Sequence, residues 1–438
     1  MRGGMRTKLP VITYLTSSTL SALGNAIAAV ALPLLLLTAT GSALGAGVLA
    51  VATAVPSVLA GVLGGALIDR MDRRVASAIA DAVSALALLA LPIVDTLAGL
   101  ELGWFVLFGI LGAVGDVPGT AAREALSPQI ARAAGMPLER LIGLREAGQA
   151  IAIVVGPGLA AVLVTGLSSS GVLIATAVTS TLAAIATLLL PRSVGRPSAT
   201  SAAVARGDGP AGVLAGLRLV LRRGPVRAVM LLGTGVIAVV GTMQGLLLPV
   251  HLHATGQQPV LGLALSALAL GSLLGAGLTA TVSGRLRRRV IVVVALLASV
   301  LPVIGLALLP PAGVLIGAAV LLGFVSAPLG AVLGAALLDS VDDRLHGRVL
   351  GAQNAFALVA APLTIGATSV VVEVAGTRAA GIALASLWAL VVLAALLSRS
   401  VRRVTAAPTV EPTAGAASDA ADEHRDDDAG EGSADAQR

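Results

Sequence analysis

Apolar runs of about twenty residues recur along nearly the whole chain, and they leave few folds open to it. Val48 to Leu67, Val290 to Leu309 and Ile382 to Leu397 are representative. Each approaches or reaches the ~20 residues that a helix needs to cross hydrocarbon. The runs are apolar on every face, whereas the strands of a spanning barrel alternate in short segments. In lipid the backbone must also satisfy its own hydrogen bonds, which helices do internally. The chain is therefore expected to be an all-α membrane protein. With 56% hydrophobic and 12% charged residues, it lies far from the roughly one quarter charged composition of a soluble domain.

Polar punctuation predicts twelve spans, at 11–37, 43–68, 75–94, 102–118, 142–165, 171–190, 226–250, 259–283, 290–309, 312–338, 349–374 and 379–398. The first follows Arg2, Arg6 and Lys8 but is too long for the apolar region of a signal peptide and has no small-residue cleavage site behind it. Basic residues concentrate on the cytoplasmic side of short loops. Here Arg70, Arg73 and Arg74, then Arg123, Arg132 and Arg140, Arg285 to Arg289, Arg344 and Arg348, and Arg399 to Arg403 fall in alternate connections, while the opposite set holds only Arg378. Both termini are thus expected in the cytoplasm, with the protein in the cell inner (plasma) membrane.

The longest connection, 191–225, separates a six-helix half (1–190) from a second (226–403). Within it Val213, Leu214, Leu217, Val220 and Leu221 alternate with Arg218, Arg222 and Arg223 at helical spacing. That pattern suits an amphipathic helix on anionic lipid, or a continuation of the seventh span. Residues 404–438 carry nine acids and two arginines with few apolar side chains, so a disordered acidic tail is expected. The basic balance elsewhere is a topology signal and gives no argument for nucleic acid.

Several chemistries are excluded. There is no cysteine, hence no thiolate and no sulfur-ligated metal. Lys8 is the only lysine, so no phosphate-cradling loop with its lysine can follow it and the chain carries no ATPase motif. His251, His253, His346 and His424 form no recognisable catalytic spacing, and the His251 and His253 pair would not share a helical face. No enzyme activity, cofactor or metal site is expected.

The halves echo one another. Gly65-Ala-Leu-Ile-Asp69-Arg70-Met-Asp72-Arg73-Arg74 follows the second span, and Ala280-Thr-Val-Ser-Gly284-Arg285-Leu-Arg287-Arg288-Arg289 follows the eighth. Gly156-Pro157 in the fifth span pairs with Ala361-Pro362 in the eleventh. Duplicated halves are a common transporter architecture.

Gly65, Asp69, Arg70, Arg73 and Arg74 resemble the loop signature between the second and third spans of the major facilitator superfamily. Asp72 stands where that signature often has glycine, as is common in the drug-exporter branch resembling transmembrane secretion effectors. Ala31-Leu-Pro33, Gly41-Ser-Ala-Leu44, Asp116-Val-Pro118-Gly, Arg123-Glu-Ala-Leu-Ser-Pro128 and Gly156-Pro157 point to the same branch. The resemblance implies two pseudo-symmetric six-helix halves and secondary active efflux of small amphiphilic or hydrophobic molecules, proton-coupled, by alternating access. An importer or facilitator of a small metabolite, or a non-transporting scaffold or sensor, are the other readings. The loop cluster would be a gating latch for the outward-facing state; the plainer alternative is topological anchoring by the arginines, facing anionic lipid or helix C-termini. Gly156 and Pro157 would bend the fifth helix.

Polar residues inside spans are costly unless they face a cavity or a partner. Asn25, Gln149, Gln244 and Asn354 lie in spans one, five, seven and eleven, which line the central cavity in this superfamily, so they are the substrate-site candidates, with Phe356 beside them. Each could equally serve as an interhelical hydrogen bond. A coupling proton needs a titratable side chain shielded from bulk water. Asp81 and Asp116 meet that requirement, against structural alternatives in which Asp81 pairs with loop arginines and Asp116 caps the helix leading to Arg123.

Overall fold

The structure is a computed structural model that describes residues 2–68, 71–195, 224–282, 286–341 and 346–405. Those residues contain the twelve spans. Span one is Arg2–Thr40, span two Ala43–Ile68, span three Arg73–Ala98, span four Leu102–Glu124, span five Leu138–Gly166 and span six Ser169–Leu188. Span seven runs from Gly224–Thr242 through a π-helical turn, Met243–Leu247, into Leu248–Ala254. Span eight is Gln258–Val282, span nine Arg288–Ala307 and span ten Ala312–Asp339. Spans eleven and twelve lie within His346–Leu397 and are divided at Gly376, whose φ of 83° and ψ of 167° belong to a region that only glycine occupies readily. A non-spanning helix, Ser127–Ala134, ends at Gly135 and was not foreseen from the sequence, where its polar, arginine-bearing stretch reads as loop.

The helix contacts repeat with the order of the chain. Span one packs on span five as seven packs on eleven, two on four as eight on ten, and three on four and six as nine on ten and twelve. The repeat extends to single residues. A Cβ at Gly156 of span five would strike the Ala26 side chain of span one, and one at Gly241 of span seven would strike Ala361 of span eleven. The same close approach is made in both halves, with the glycine moved to the opposite helix. Small residues at such crossings let backbones approach, which is how helices gain packing in lipid.

Spans two and eleven, and five and eight, join the halves. The joints sit toward the arginine-poor face: a Cβ at Gly47 would meet Ser369, and one at Gly262 would meet Pro157, Gly158 and Ala161. Leu248–Ala254, at that same end of span seven, also packs on span one. One large apolar cluster runs through both halves, and a small one at the arginine-rich end gathers Tyr14, Leu126, Ile130, Leu141 and Val194 around the short helix. The amphipathic stretch of the linker and the tail beyond Thr405 lie outside the described residues. Val404 and Thr405, read from the sequence as tail, close the helix Arg399–Thr405.

Candidate functional site

The cavity of interest has a volume of about 370 Å³ and is walled mainly by the first half. Span one contributes Asn25, Ala28, Leu32 and Pro33; span two Ala46, Leu49 and Thr53; span three Ser84, Leu88 and Leu91; span four Phe108, Gly112 and Asp116; span six Ser180. Gly245 and Ile365 are the contributions of the second half. Hydrocarbon dominates the wall, and Asp116 is its single charged residue among the described residues. Ligand sites of this make-up hold apolar bodies and use a few polar groups for orientation.

Asp116 accepts a hydrogen bond from Ser84 Oγ at 2.8 Å. Among the described residues no cation lies within ion-pair distance of it. Span four continues unbroken through Pro118 to Glu124, so Asp116 is not a helix cap. Asp81, one turn before Ser84 on span three, has a different fate. It is buried, pairs with the buried Arg123 of span four, and accepts from Ser21 Oγ of span one at 2.9 Å. Arg123 lies two turns beyond Asp116 on the same helical face. The Tyr14 hydroxyl secures the end of the span, donating to the Arg123 carbonyl at 3.3 Å and lying 2.7 Å from Ser127 Oγ. Glu124 follows Arg123 directly in sequence, and Glu146 follows Arg145. In the fold Arg145 pairs with both glutamates, at 3.2 and 2.6 Å, while Arg123 turns inward to Asp81.

Of the substrate-site candidates, Asn25 lines the cavity. Gln149, Gln244, Asn354 and Phe356 are not among its lining residues. Gln244 is half-buried in the π-helical turn beside Gly245, Gln149 is half-buried in span five, Asn354 is exposed, and Phe356 packs against the apolar core. The aromatic wall is Phe108, with Trp104 stacked on it at a centroid distance of 6.2 Å and an interplanar angle of 18°. Thr53, Ser84 and Ser180 escaped the sequence reading because their hydroxyls look innocuous: Thr53 bonds back to the Leu49 carbonyl at 2.9 Å, the usual way a helix hides such groups. The legible signal was Ser84, one turn from Asp81.

Gly156 and Pro157 are both buried, next to Asn25's helix. Immediately after the proline, the Gly158 N–H donates to Ser266 Oγ of span eight at 3.1 Å. Pro157 in span five thus coincides with a polar joint between the halves.

Asp69 and Arg70 of the loop signature lie outside the described residues, and Gly65 falls within span two. Arg73 and Arg74 are buried and bind helix C-termini. Arg73 donates from Nη1 to the Ala125 carbonyl at 2.9 Å, and Arg74 Nη1 donates to the Leu190 carbonyl just beyond span six. Cations are favoured there by the helix dipole. Asp72, the departure from the signature, caps span three by accepting from the Arg74 N–H at 2.9 Å. Burial pushes its carboxyl up, but the Arg74 side chain, backbone N–H and charge outweigh this and hold it below the ordinary aspartate value. Asp72→Ala should lower unfolding free energy in detergent by about 1 kcal/mol at neutral pH, as loss of a cap does. Because the folded carboxyl titrates below its unfolded value, this difference should fade as pH falls below the ordinary aspartate range. A pH-independent difference in unfolding midpoints would show that the cap is not the cause.

Comparison with known proteins agrees with this architecture. The multidrug efflux pump Tap of Mycobacterium tuberculosis (strain ATCC 25618 / H37Rv) is 32% identical over 410 residues, covering 92% of this chain and 96% of the pump. Tap of Mycolicibacterium fortuitum is 29% identical over 382 residues, 86% of this chain and 92% of the relative. The crystal structure of a mutant of the nucleoside transporter NupG superposes with a TM-score of 0.75 at 12% identity, over 88% of this chain and 99% of that one, and so shares the fold. The profile of the Major Facilitator Superfamily matches residues 14–253 and 230–423. On this match, on the relatives and on the duplicated twelve-span bundle, the chain belongs to the Major Facilitator Superfamily of membrane transporters.

Proposed function

We propose that this transporter exports small amphiphilic or hydrophobic molecules in exchange for protons, by alternating access around the cavity of the first half. The observation that carries the reading is Asp116: one carboxylate, with one hydroxyl donor, in a wall otherwise made mainly of hydrocarbon. A proton and the substrate compete for that group, so each leaves as the other arrives. Asn25, Thr53 and Ser180 orient cargo whose bulk rests on Leu32, Leu88, Leu91 and Phe108. The relatives named as multidrug efflux pumps support the direction of transport.

The arginine alternation supports a plasma-membrane orientation with both termini in the cytoplasm. In that orientation the described contacts between halves lie on the outer side, which corresponds to an inward-facing state. Residues 191–225 link the halves, and the loop from Gly65 to Arg74 latches the opposite, outward-facing state. The buried Arg73 and Arg74 anchor the latch to spans four and six, and Asp69 and Arg70 are assigned the contact with the second half. Gly156 and Pro157 give span five the bend on which the halves rock.

The test is flux of a fluorescent lipophilic amine in proteoliposomes under an imposed pH gradient. Uphill movement of the amine against inward proton flow is expected. Downhill flux indifferent to the gradient would indicate a facilitator, and no flux from correctly inserted protein would indicate a non-transporting role.

A further inference from the structure

Spans eight, nine and ten enclose a second cavity, of about 180 Å³, that is unlike the first in chemistry and position. Its wall is hydrocarbon, with Leu278 from span eight, Ile291, Val294 and Ala298 from span nine, and Phe324 and Pro328 from span ten. Helix packing explains why it exists. A Cβ at Gly275 would strike the Phe324 carbonyl and one at Gly323 would strike that of Leu268, so spans eight and ten touch backbone to backbone at this crossing. Beyond this crossing, toward the arginine-rich end, the cavity lies between them. Span nine packs on spans ten and twelve rather than on span eight, and a wedge remains. Leu278 and Val294 are 41% and 58% exposed, so the wedge opens on the outside of the bundle, where lipid lies.

Arginines frame its mouth. Arg287, extended at the N-cap of span nine, and Arg289 in its first turn both come directly before the wall residues Val290, Ile291 and Val294. Arg288 is tied to Asp339 at the end of span ten, which draws the two helices together beside the opening. Arg287 and Arg289 are exposed, and among the described residues neither has an ion-pair partner.

We propose that this wedge binds an anionic phospholipid of the leaflet on the arginine-rich side, with one acyl chain between spans eight, nine and ten and its phosphate on Arg287 and Arg289. The apolar wall accepts a hydrocarbon chain and offers a polar ligand nothing. The depth of the wedge, beginning directly below the arginines, matches a molecule whose charge and chain are joined. An anionic headgroup leaves the guanidinium charges complemented, whereas the ammonium of a zwitterionic lipid would sit against them. The site is independent of the direction or coupling of transport.

Native mass spectrometry of the delipidated full-length chain, titrated with phosphatidylglycerol or phosphatidylcholine, tests the assignment. One phosphatidylglycerol should be retained, preferred over phosphatidylcholine on the order of ten-fold, as two arginines near one headgroup imply. Ala298→Phe, which fills the wedge, should remove that lipid. The pair Arg287→Gln and Arg289→Gln should erase the headgroup preference and leave chain binding. Inorganic phosphate should not compete. As a check that needs no variant, phosphatidylglycerol with a photoreactive acyl chain should crosslink to residues 286–298 of the unaltered protein. Unchanged phosphatidylglycerol retention by Ala298→Phe, equal retention of both lipids by the parent, displacement by phosphate alone, or crosslinks confined to other spans would each overturn the proposal.

Discussion

Asp116→Asn should reduce pH-driven efflux to the level of empty vesicles, while substrate exchange without a gradient continues. Asparagine keeps the size of the side chain and still accepts the 2.8 Å hydrogen bond from Ser84, so the wall of the cavity is preserved. What it removes is the capacity to take and release a proton at a group that lines the cavity. Among the described residues Asp116 is the single charged residue of the wall, and none of the other lining residues is an acid that could assume the role. Asp81 does not substitute for it, because that carboxylate is engaged by Arg123 and Ser21. Ser84→Ala, which removes only the donor, should have a smaller effect on rate. The comparison is made in proteoliposomes with matched protein content, measuring uphill efflux and equilibrium exchange separately. Full-rate uphill efflux by Asp116→Asn would end the assignment of the proton to this group. Loss of exchange together with efflux would show that the residue holds the helices and not the proton.

The second large effect is on stability. Asp81→Asn and Arg123→Gln should each destabilise the protein by about 3–5 kcal/mol, because either change leaves a charge buried without its partner. The setting is closed on every side. The Asp81 and Arg123 side chains are 8% and 6% exposed, and Arg123 Nε has no hydrogen-bond partner among the described residues. The double variant, Asp81→Asn with Arg123→Gln, removes both charges and leaves two side chains able to bond each other and Ser21. It should recover most of the loss, since burying a neutral pair avoids the desolvation cost of ions. Unfolding midpoints of the three variants in the same detergent give the interaction as a double-mutant cycle. Additive losses would show that the two residues act independently. The pair also fixes the separation of spans three and four beside Asp116, so any single variant that still folds should show altered coupling.

Much of the bundle was legible before any coordinates, and for a simple reason. A helix in lipid must be apolar over its whole length, so every span writes itself into about twenty consecutive residues. The predicted 102–118 was short for span four, which continues to Glu124, because Asp116, Pro118 and Arg123 look like an ending. Asp116 and Arg123 are tolerated inside the helix since Ser84 and Asp81 meet them on span three. The short helix Ser127–Ala134 was missed for the opposite reason: it packs under the bundle at the arginine-rich end and has no need of an apolar periphery.

The local pattern determined class, span number, duplication and the list of polar residues that a lipid-bound helix would not carry idly. Which of those residues meet was a matter for the tertiary structure. Asn25 and Asp116 come to one cavity, while Gln149, Gln244 and Asn354, chosen by the same rule, do not line it. Arg123 reaches across 42 residues of sequence to Asp81 and leaves the glutamates beside it to Arg145. Hydropathy averages around the helix axis and records that a span is buried in lipid, but the face on which a single polar atom emerges depends on how neighbouring spans cross. Those crossings are set by small residues, Gly156 against Ala26 and Ala361 against Gly241, whose meaning appears only when the two backbones are brought together.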